Sequence, residues 1–443
     1  MTGPWQPPSD LWEVNQSLQL DEHLDGDRDP RWVDTERARG EYSLTRLCRA
    51  LGVDRTQRRL AAPAHGYYLF CGHRGSGKST ELRRIGHKLH DRDFYYVVFA
   101  DAAQELDVNN LRYQDVLLHL ASRLMKQLVD DGIRVDEIHL GKLQEWFTKR
   151  VERTTNTKDF ALEAKAGIGG SVGLPLVAKL FAQFSTAFKT NTTYKEELRT
   201  TLRNHFSEFA DGFNNLITVT EDTLPGTGKG VRILFVIDGT DRLGGDDAQA
   251  FFEADVHQLQ LVRSLFVYCA PVHLAYEGAS VGQSFSSIFR LPMIKLRHRN
   301  GSPHEAGRIA MGEMLHLRAA AELFDAGVAD RLIEHSGGHP RDLLRLLLNA
   351  FKHAEHDRFD DASAHQAVRE MAADFRRMLN PDDYRMLAAI DAGHGPPDAS
   401  ERNRLLYCLA LLEYNDHFWR SHPVIRSTQE YVAARDALAR SDE

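Results

Sequence analysis

Gly72-His-Arg-Gly-Ser-Gly-Lys78-Ser79 fits the pattern G-x-x-x-x-G-K-[ST] without a mismatch. These residue types at this spacing can hold phosphate. Glycines at 72, 75 and 77 let backbone N–H groups converge on anionic oxygens, and a helix starting at Lys78 adds its partial positive charge. His73, Arg74, Ser76 and Thr80 fill out the cradle. Lys78 is expected to reach the β- and γ-phosphates, and Ser79 to offer its hydroxyl to a metal ion, so the expected cofactors are ATP and Mg²⁺. The bland alternative is a glycine turn beside a surface lysine. The flanks argue against it: Tyr67–Phe70 reads as an apolar strand entering the loop, and Ser79–Ile85 as a helix leaving it.

A second acid-bearing strand supports this chemistry. Arg232-Ile-Leu-Phe-Val-Ile-Asp238 is an apolar run ending in a carboxylate. Such a strand delivers its acid to the C-terminal edge of a parallel sheet, beside the phosphates, where it binds Mg²⁺ directly or through water. The pattern is common by itself and gains weight from the upstream loop. The next residue is Gly239, where many ATPases carry a glutamate that orients water. The nearest acid beyond it is Asp241. Two roles are open for Asp241: orienting the attacking water, or pairing with a neighbouring cation in a slowly hydrolysing site.

Two arginine positions complete the expected constellation. In Ser336-Gly-Gly-His-Pro-Arg341 a glycine turn precedes a helix starting at Pro340, so Arg341 stands in its first turn. From there it could reach the γ-phosphate and report hydrolysis to a helical lid; a capped helix with a solvated arginine is the alternative. Arg290 lies just ahead of a strand expected at Met293–Leu296, a location suited to an arginine finger acting on a neighbouring subunit. Arg297 and Arg299 are rivals for that role, and a plain surface arginine is the alternative. Other patterns are set aside. Gly169-Gly-Ser-Val-Gly173 matches a nucleophile elbow but lacks the strand before it, and Pro175 opposes the helix after it. Pro225–Gly230 resembles half a phosphate loop but precedes a strand, and is expected to be a turn. His353 and His356 lack metal-site spacing.

The elements that must position these groups alternate. Strands are expected at Tyr67–Phe70, Phe94–Phe99, Arg232–Asp238, Leu265–Cys269 and Met293–Leu296, with helices between most of them. Short, almost wholly apolar strands alternating with helices imply an α/β fold with a five-stranded parallel sheet covered on both faces. Residues 1–60 read as a polar lead-in, extended over Asp27–Asp34 and helical over Glu36–Leu51. The ATPase core is expected at 61–300. About 130–228 is too long for a simple connection and reads as a helical insertion, with helices at Leu140–Val151 and Tyr194–Val219. Residues 301–358 read as a helical lid. Residues 359–443 end in a strand pair within Glu413–Ile425, a winged-helix-like arrangement.

Composition bounds the partners. The 443 residues are 42% hydrophobic and 27% charged with a net charge of −8, which argues against whole-surface nucleic-acid binding while leaving room for a local basic patch. The four cysteines are far apart and suggest neither disulfides nor zinc. The beginning of the chain lacks a signal-peptide pattern, so a cytoplasmic setting is expected. Ala166–Phe188 is apolar and glycine-rich, but Lys179, Gln183 and Pro175 interrupt it, and a membrane role is not expected.

Gly72–Thr80, Arg232–Arg242, Leu265–Cys269 and Gly337–Leu347 together resemble AAA+ ATPases, in the branch shared by origin-recognition and helicase-loader proteins and by STAND signalling ATPases. The Asp238-Gly-Thr-Asp-Arg242 turn is also similar to that of KAP ATPases. The resemblance covers roughly residues 60–350. It implies a nucleotide-gated homo-oligomer acting as a regulatory switch on a separately encoded effector, in bacterial antiphage defence. The alternative it implies is a DNA-handling loader or remodeller using a C-terminal winged helix. The chain departs from the resemblance in three ways: the glutamate after Asp238 is missing, Tyr268–Pro271 offers no Asn or Thr as a sensor, and there is no repeat array.

Overall fold

The computed structural model describes residues 5–40, 42–135, 192–243, 245–276, 279–395, 399–415 and 418–441. The helix expected at Leu140–Val151, the Ala166–Phe188 stretch and the Gly169–Gly173 pattern lie outside the described residues.

Five parallel strands form the central sheet: β1 (Gly66–Gly72), β2 (Tyr95–Asp101), β3 (Arg232–Asp238), β4 (Leu265–Pro271) and β5 (Ser287–Leu291). Their spatial order is β2-β3-β4-β1-β5, so β4 intervenes between the phosphate-loop strand and the Asp238 strand. In register, Asp101 lies beside Asp238, and Gly72 beside both Pro271 and Leu291, which gathers the loop and the acids at one edge. One face packs Leu69, Phe235, Phe266 and Tyr268; the other packs Phe70, Val236, Val267 and Cys269. Burial on both faces explains why the strands are apolar at every position rather than at alternate ones. Five-stranded parallel order, phosphate loop and flanking helices make this the α/β fold of a P-loop NTPase.

The helices used below are α1 (Leu11–Ser17), α2 (Lys78–Leu89), α3 (Tyr113–Asp130), α4 (Val328–Ser336), α5 (Pro340–His353), α6 (Pro381–Asp391) and α7 (Gln429–Ser441). α3 closes the β2 edge with side chains: Arg123 donates to the Phe99 carbonyl at 3.0 Å and Gln127 to that of Val97 at 3.0 Å. Those bonds satisfy backbone acceptors that an open edge would leave bare. A third hydrophobic core joins α1 to α4, α5, α6 and the antiparallel ribbon of β6 (Leu411–Asn415) and β7 (Phe418–Ser421). The ribbon sits where the sequence expected a strand pair.

Four local expectations need correction. The fifth strand is Ser287–Leu291, not Met293–Leu296, and Arg290 lies within it. Pro292 has no N–H to continue the ladder, and the Met293 N–H is instead donated to the Glu413 carbonyl at 2.9 Å. The helix expected over Glu36–Leu51 is split into a turn at Arg37–Arg39 and a helix at Leu44–Ala50. Gly40 breaks it with φ +72° and packs so closely that a Cβ would meet the Lys295 amine at 2.5 Å. The lead-in is not merely extended: Asp10 caps α1 by accepting from the Trp12 and Glu13 N–H groups, and Gly26–Arg28 forms a tight turn. The turn expected at Pro225–Gly230 begins later, because the preceding helix runs through Pro225 to Thr227.

Candidate nucleotide site

β1 is wholly buried and ends at Gly72, where the loop begins. Gly75 and Gly77 take φ of +87° and +96°, which only glycine adopts readily. At Gly75 a Cβ would also meet Arg341 Cβ at 2.8 Å, so helix α5 lies directly on the loop. Arg39 braces it from below, donating to the carbonyls of Ser76, at 2.7 Å, and of Pro292. Burial pushes the Arg39 pKa down to about 10, so the group stays charged at neutral pH.

Lys78 is 3% exposed and held by three acceptors. Its Nζ donates to the Gly72 and His73 carbonyls, each at 2.8 Å, and pairs with Asp241 Oδ2 at 2.7 Å. Burial disfavours both charges, but each overcomes it for the other: the Lys78 pKa is raised and that of Asp241 lowered. An anion thus already occupies the ammonium that the sequence assigns to phosphate. Gly239 explains why no glutamate follows Asp238. It has φ +80°, and a Cβ there would meet the Ala103 nitrogen at 2.6 Å.

Ser79 Oγ donates to Asp238 Oδ1 at 3.0 Å, and the same oxygen accepts from the Gly239 N–H at 2.8 Å. Asp238 Oδ2 is buried without a partner. Burial, then the nearby carboxylates of Asp241 and Asp101, raise the Asp238 pKa. A buried, orphaned carboxylate oxygen beside a serine hydroxyl suits Mg²⁺, which takes oxygen ligands and relieves that repulsion. Cys269 also has its sulfur within 4.8 Å of ligand atoms of Asp238 and Asp241, but burial raises its thiol pKa well above the ordinary value. A protonated thiol is a poor ligand for a hard cation, so Ser79 and Asp238 are the fitting pair.

Arg341 is brought to this pocket along with Arg74, Lys78, Ser79, Thr80 and Asp241. Its Nε donates to the Leu20 carbonyl at 3.1 Å, and its Nη2 approaches Asp21 at 3.5 Å. Those acceptors belong to the segment after α1, which the sequence did not assign to the site. Gln19, Leu20, Glu22 and His23 lie across the loop, together with Arg242. They leave a cavity of about 90 Å³, well below the ~300 Å³ lower bound usual for ligand clefts. A nucleotide therefore requires this segment to shift. The signal for α1 was present in Asp10 followed by Leu11, Val14 and Leu18 at helical spacing; nothing local signals that the segment crosses the phosphate loop.

His73 and His339 tie the loop to the rest of the chain. His73 Nε2 accepts from the Glu413 N–H at 2.9 Å, and Nδ1 lies 3.2 Å from the Leu406 carbonyl, which makes Nδ1 the protonated nitrogen. Burial, then His339 and Lys78, push its pKa down to about 3. His339 Nε2 lies 2.9 Å from the Arg74 carbonyl, and its Nδ1 2.8 Å from Asp342. His422 approaches the same carboxylate at 3.3 Å. Arg290 is not in this assembly. It lies over the Tyr276 ring at 5.5 Å, in a separate recess with Tyr42 and Arg46. Of its rivals, Arg297 pairs with Glu334 at 2.6 Å, and Arg299 lies 5.0 Å from the Phe418 ring centroid.

No family model and no curated protein matches the chain. Among solved structures it is similar to the RuvB Holliday junction branch migration motor of Thermotoga maritima. The identity is 12%, over 94% of this chain and 98% of that one, with a TM-score of 0.37. It is similar to the Aeropyrum pernix ORC1 protein, solved in complex with DNA, at 13% identity over 97% and 87% of the two chains, TM-score 0.36. It is also similar to a Walker-type ATPase of Pyrococcus abyssi at 10% identity over 94% and 100%, TM-score 0.43. Likenesses this loose carry no argument about the chain, and the fold class rests on its own strand order. Among the described residues no helix is long and apolar enough to cross a membrane.

Proposed function

We propose that the protein is an AAA+-type regulatory ATPase that binds ATP with Mg²⁺ and hydrolyses it slowly. The observation that carries this reading is Asp241 on Lys78 at 2.7 Å, with a glycine that cannot be replaced where a catalytic glutamate would stand. Binding would exchange the Asp241 carboxylate for phosphate on Lys78. The released Asp241 is then the nearest acid to orient water. Ser79 and Asp238 would hold Mg²⁺, which supplies charge neutralisation for the phosphates when bound. Arg341 would turn from Leu20 and Asp21 to the γ-phosphate and carry the nucleotide state into α5. The division into a lead-in (1–60), ATPase core (61–300), lid (301–358) and winged-helix-like end (359–443) belongs to this proposal. So do assembly into a homo-oligomer, with Arg290 acting on a neighbour, and a cytoplasmic setting.

The effector protein and the antiphage setting rest on the family resemblance alone. DNA handling is the better-supported second reading, because the ribbon borders an arginine-lined cavity, although elsewhere Arg58 is paired with Asp91 and Arg377 with Asp374. The names of two similar structures, a branch migration motor and a protein in complex with DNA, point the same way without adding weight. Lys78→Ala tests the core claim. It should abolish ATP affinity and lower turnover by roughly 10²–10³-fold, as loss of a charged transition-state donor does. Unchanged affinity and turnover would remove the nucleotide reading.

A further inference from the structure

A second cavity, of about 550 Å³, opens where the lid meets the ribbon. Its volume lies within the range usual for small-ligand sites, ~300–1,000 Å³. Its walls come from five separate pieces of chain: the loop at 296–301, the end of α4, α6, the ribbon, and α7 with the turn before it. Arg297, Arg420, Arg426 and Arg435 line it against two carboxylates, Glu334 and Asp391. Both carboxylates are already engaged. Glu334 takes Arg297 at 2.6 Å and Arg308 at 3.2 Å. Asp391 accepts from the Tyr431 hydroxyl at 2.6 Å and the Ser421 N–H at 3.0 Å.

Arg426 and Arg435 are less well satisfied than Arg297 and Arg420. Arg426 is half-buried, and its guanidinium makes neither hydrogen bond nor ion pair among the described residues. Among the described residues Arg435 pairs only with Asp436, its neighbour in sequence. Arg420 donates to the Asp391 and Arg299 carbonyls, approaches the Asp391 carboxylate at 3.9 Å and lies 5.4 Å from the Phe418 ring centroid. A half-buried arginine without an anion is costly, and a planar guanidinium fork suits a phosphate. The remaining wall is apolar, with Phe418, Tyr414 and Leu296, the two rings tilted at 41° to each other, and such a wall suits a ring-bearing ligand rather than a bare ion.

We infer that this cavity is a second ligand site, distinct from the phosphate loop, for a phosphorylated ligand carrying a flat ring: a nucleotide, free or at the end of a single strand. Its walls reach the phosphate loop by two short routes. The Tyr414 hydroxyl donates to the Gly337 carbonyl at 2.6 Å, and His339, two residues on, bonds the Arg74 carbonyl. Glu413, beside Tyr414, donates its N–H to His73. Ligand binding at the junction therefore bears on the loop. That coupling rests on the nucleotide reading of Lys78, whereas the binding itself does not.

The test uses the full chain carrying Lys78→Ala, so that the phosphate loop does not compete. Two probes are titrated by fluorescence anisotropy: N-methylanthraniloyl-AMP, and fluorescein-labelled oligothymidylate. Arg426→Gln and the rim variant Arg435→Glu are compared with the parent, and thermal melting confirms that each is folded. Binding of the mononucleotide that weakens about tenfold or more in both variants establishes the site for a free ligand. Binding of the strand alone, with the same losses, establishes it for a strand end. Binding of neither probe, or binding that neither variant weakens, overturns the site. ATP turnover that is the same in the unsubstituted chain and in Lys78→Ala, with cavity binding intact, would instead overturn the phosphate-loop reading.

Discussion

The phosphate cradle and the junction cavity are both built to hold anions, and they deal with the missing anion in opposite ways. In the cradle the protein supplies its own: Asp241 sits on Lys78, and the segment Gln19–His23 lies across the opening. At the junction the two carboxylates are engaged by other lining groups, Arg297 and Tyr431, and Arg426 pairs with neither among the described residues. The difference follows from burial. Lys78 is 3% exposed, and a charge that deep must be neutralised from within, whereas a half-buried guanidinium is desolvated less and can be left for an incoming anion at a smaller cost. A site closed by its own counter-ion opens only to an anion that competes with it. A site left open is waiting for a ligand.

Breaking the internal ion pair tests this contrast most strongly. Asp241→Asn should lower the melting temperature of the nucleotide-free protein, because breaking a buried pair costs about 3–5 kcal/mol. Added ADP should then raise the melting temperature further than it does in the parent, since phosphate restores the lost charge. A variant with parental melting temperature and parental ADP response would show that Asp241 does not stand in for phosphate. A fall in turnover in the same variant, measured at saturating ATP, would assign the water-orienting role to the same carboxylate.

The next largest effect is in acid. The His73 pKa is pushed down to about 3 in the folded protein against an ordinary value near 6.5. The unfolded chain therefore binds a proton that the folded chain does not, and folding stability should fall as pH drops from about 6.5 towards 3. The slope due to this group is at most about 1.4 kcal/mol per pH unit. Denaturant melts across that window should be steeper in pH for the parent than for His73→Gln. Equal slopes would mean that the loop is not clamped to the ribbon through a neutral imidazole.

Arg290→Ala should have the smallest effect on a single chain. Its recess shares no lining residue with the phosphate pocket, so ATP affinity should stay within about twofold, as for a site with no shared partner. Turnover of the assembled protein is the informative readout. A drop there with affinity preserved would place Arg290 on a neighbour's nucleotide, and no drop in any assembly state would return it to its Tyr276 contact.

Much of the cradle was legible because its parts are contiguous. Gly72 to Ser79 carries its meaning in spacing alone, and Arg232–Asp238 is a strand that burial on both faces forces to be apolar. Arg290 was misplaced relative to its strand because the apolar run Met293–Leu296 looks like a strand, and only the partner backbone shows that the ladder stops at Pro292. The cover over the loop was missed because polar segments carry no periodic signal for what they cross.

The sequence by itself determined four of the sheet's five strands, the glycine loop after β1, the acid at the end of β3 and the arginine at the start of α5. Each follows from local rules: glycine where φ is positive, proline at a helix start, apolar runs where both faces are buried. Only the tertiary structure decided which charge neutralises which. Lys78 pairs with Asp241 and the neutral His73 ring accepts from the Glu413 N–H, through contacts between residues far apart in the chain, while the Arg426 guanidinium has no hydrogen bond or ion pair among the described residues. The physical reason is that a charge or hydrogen-bonding group shows its type in the sequence but acquires its energy from its surroundings. Those surroundings exist only once segments as distant as residues 20, 73, 341 and 413 are packed together.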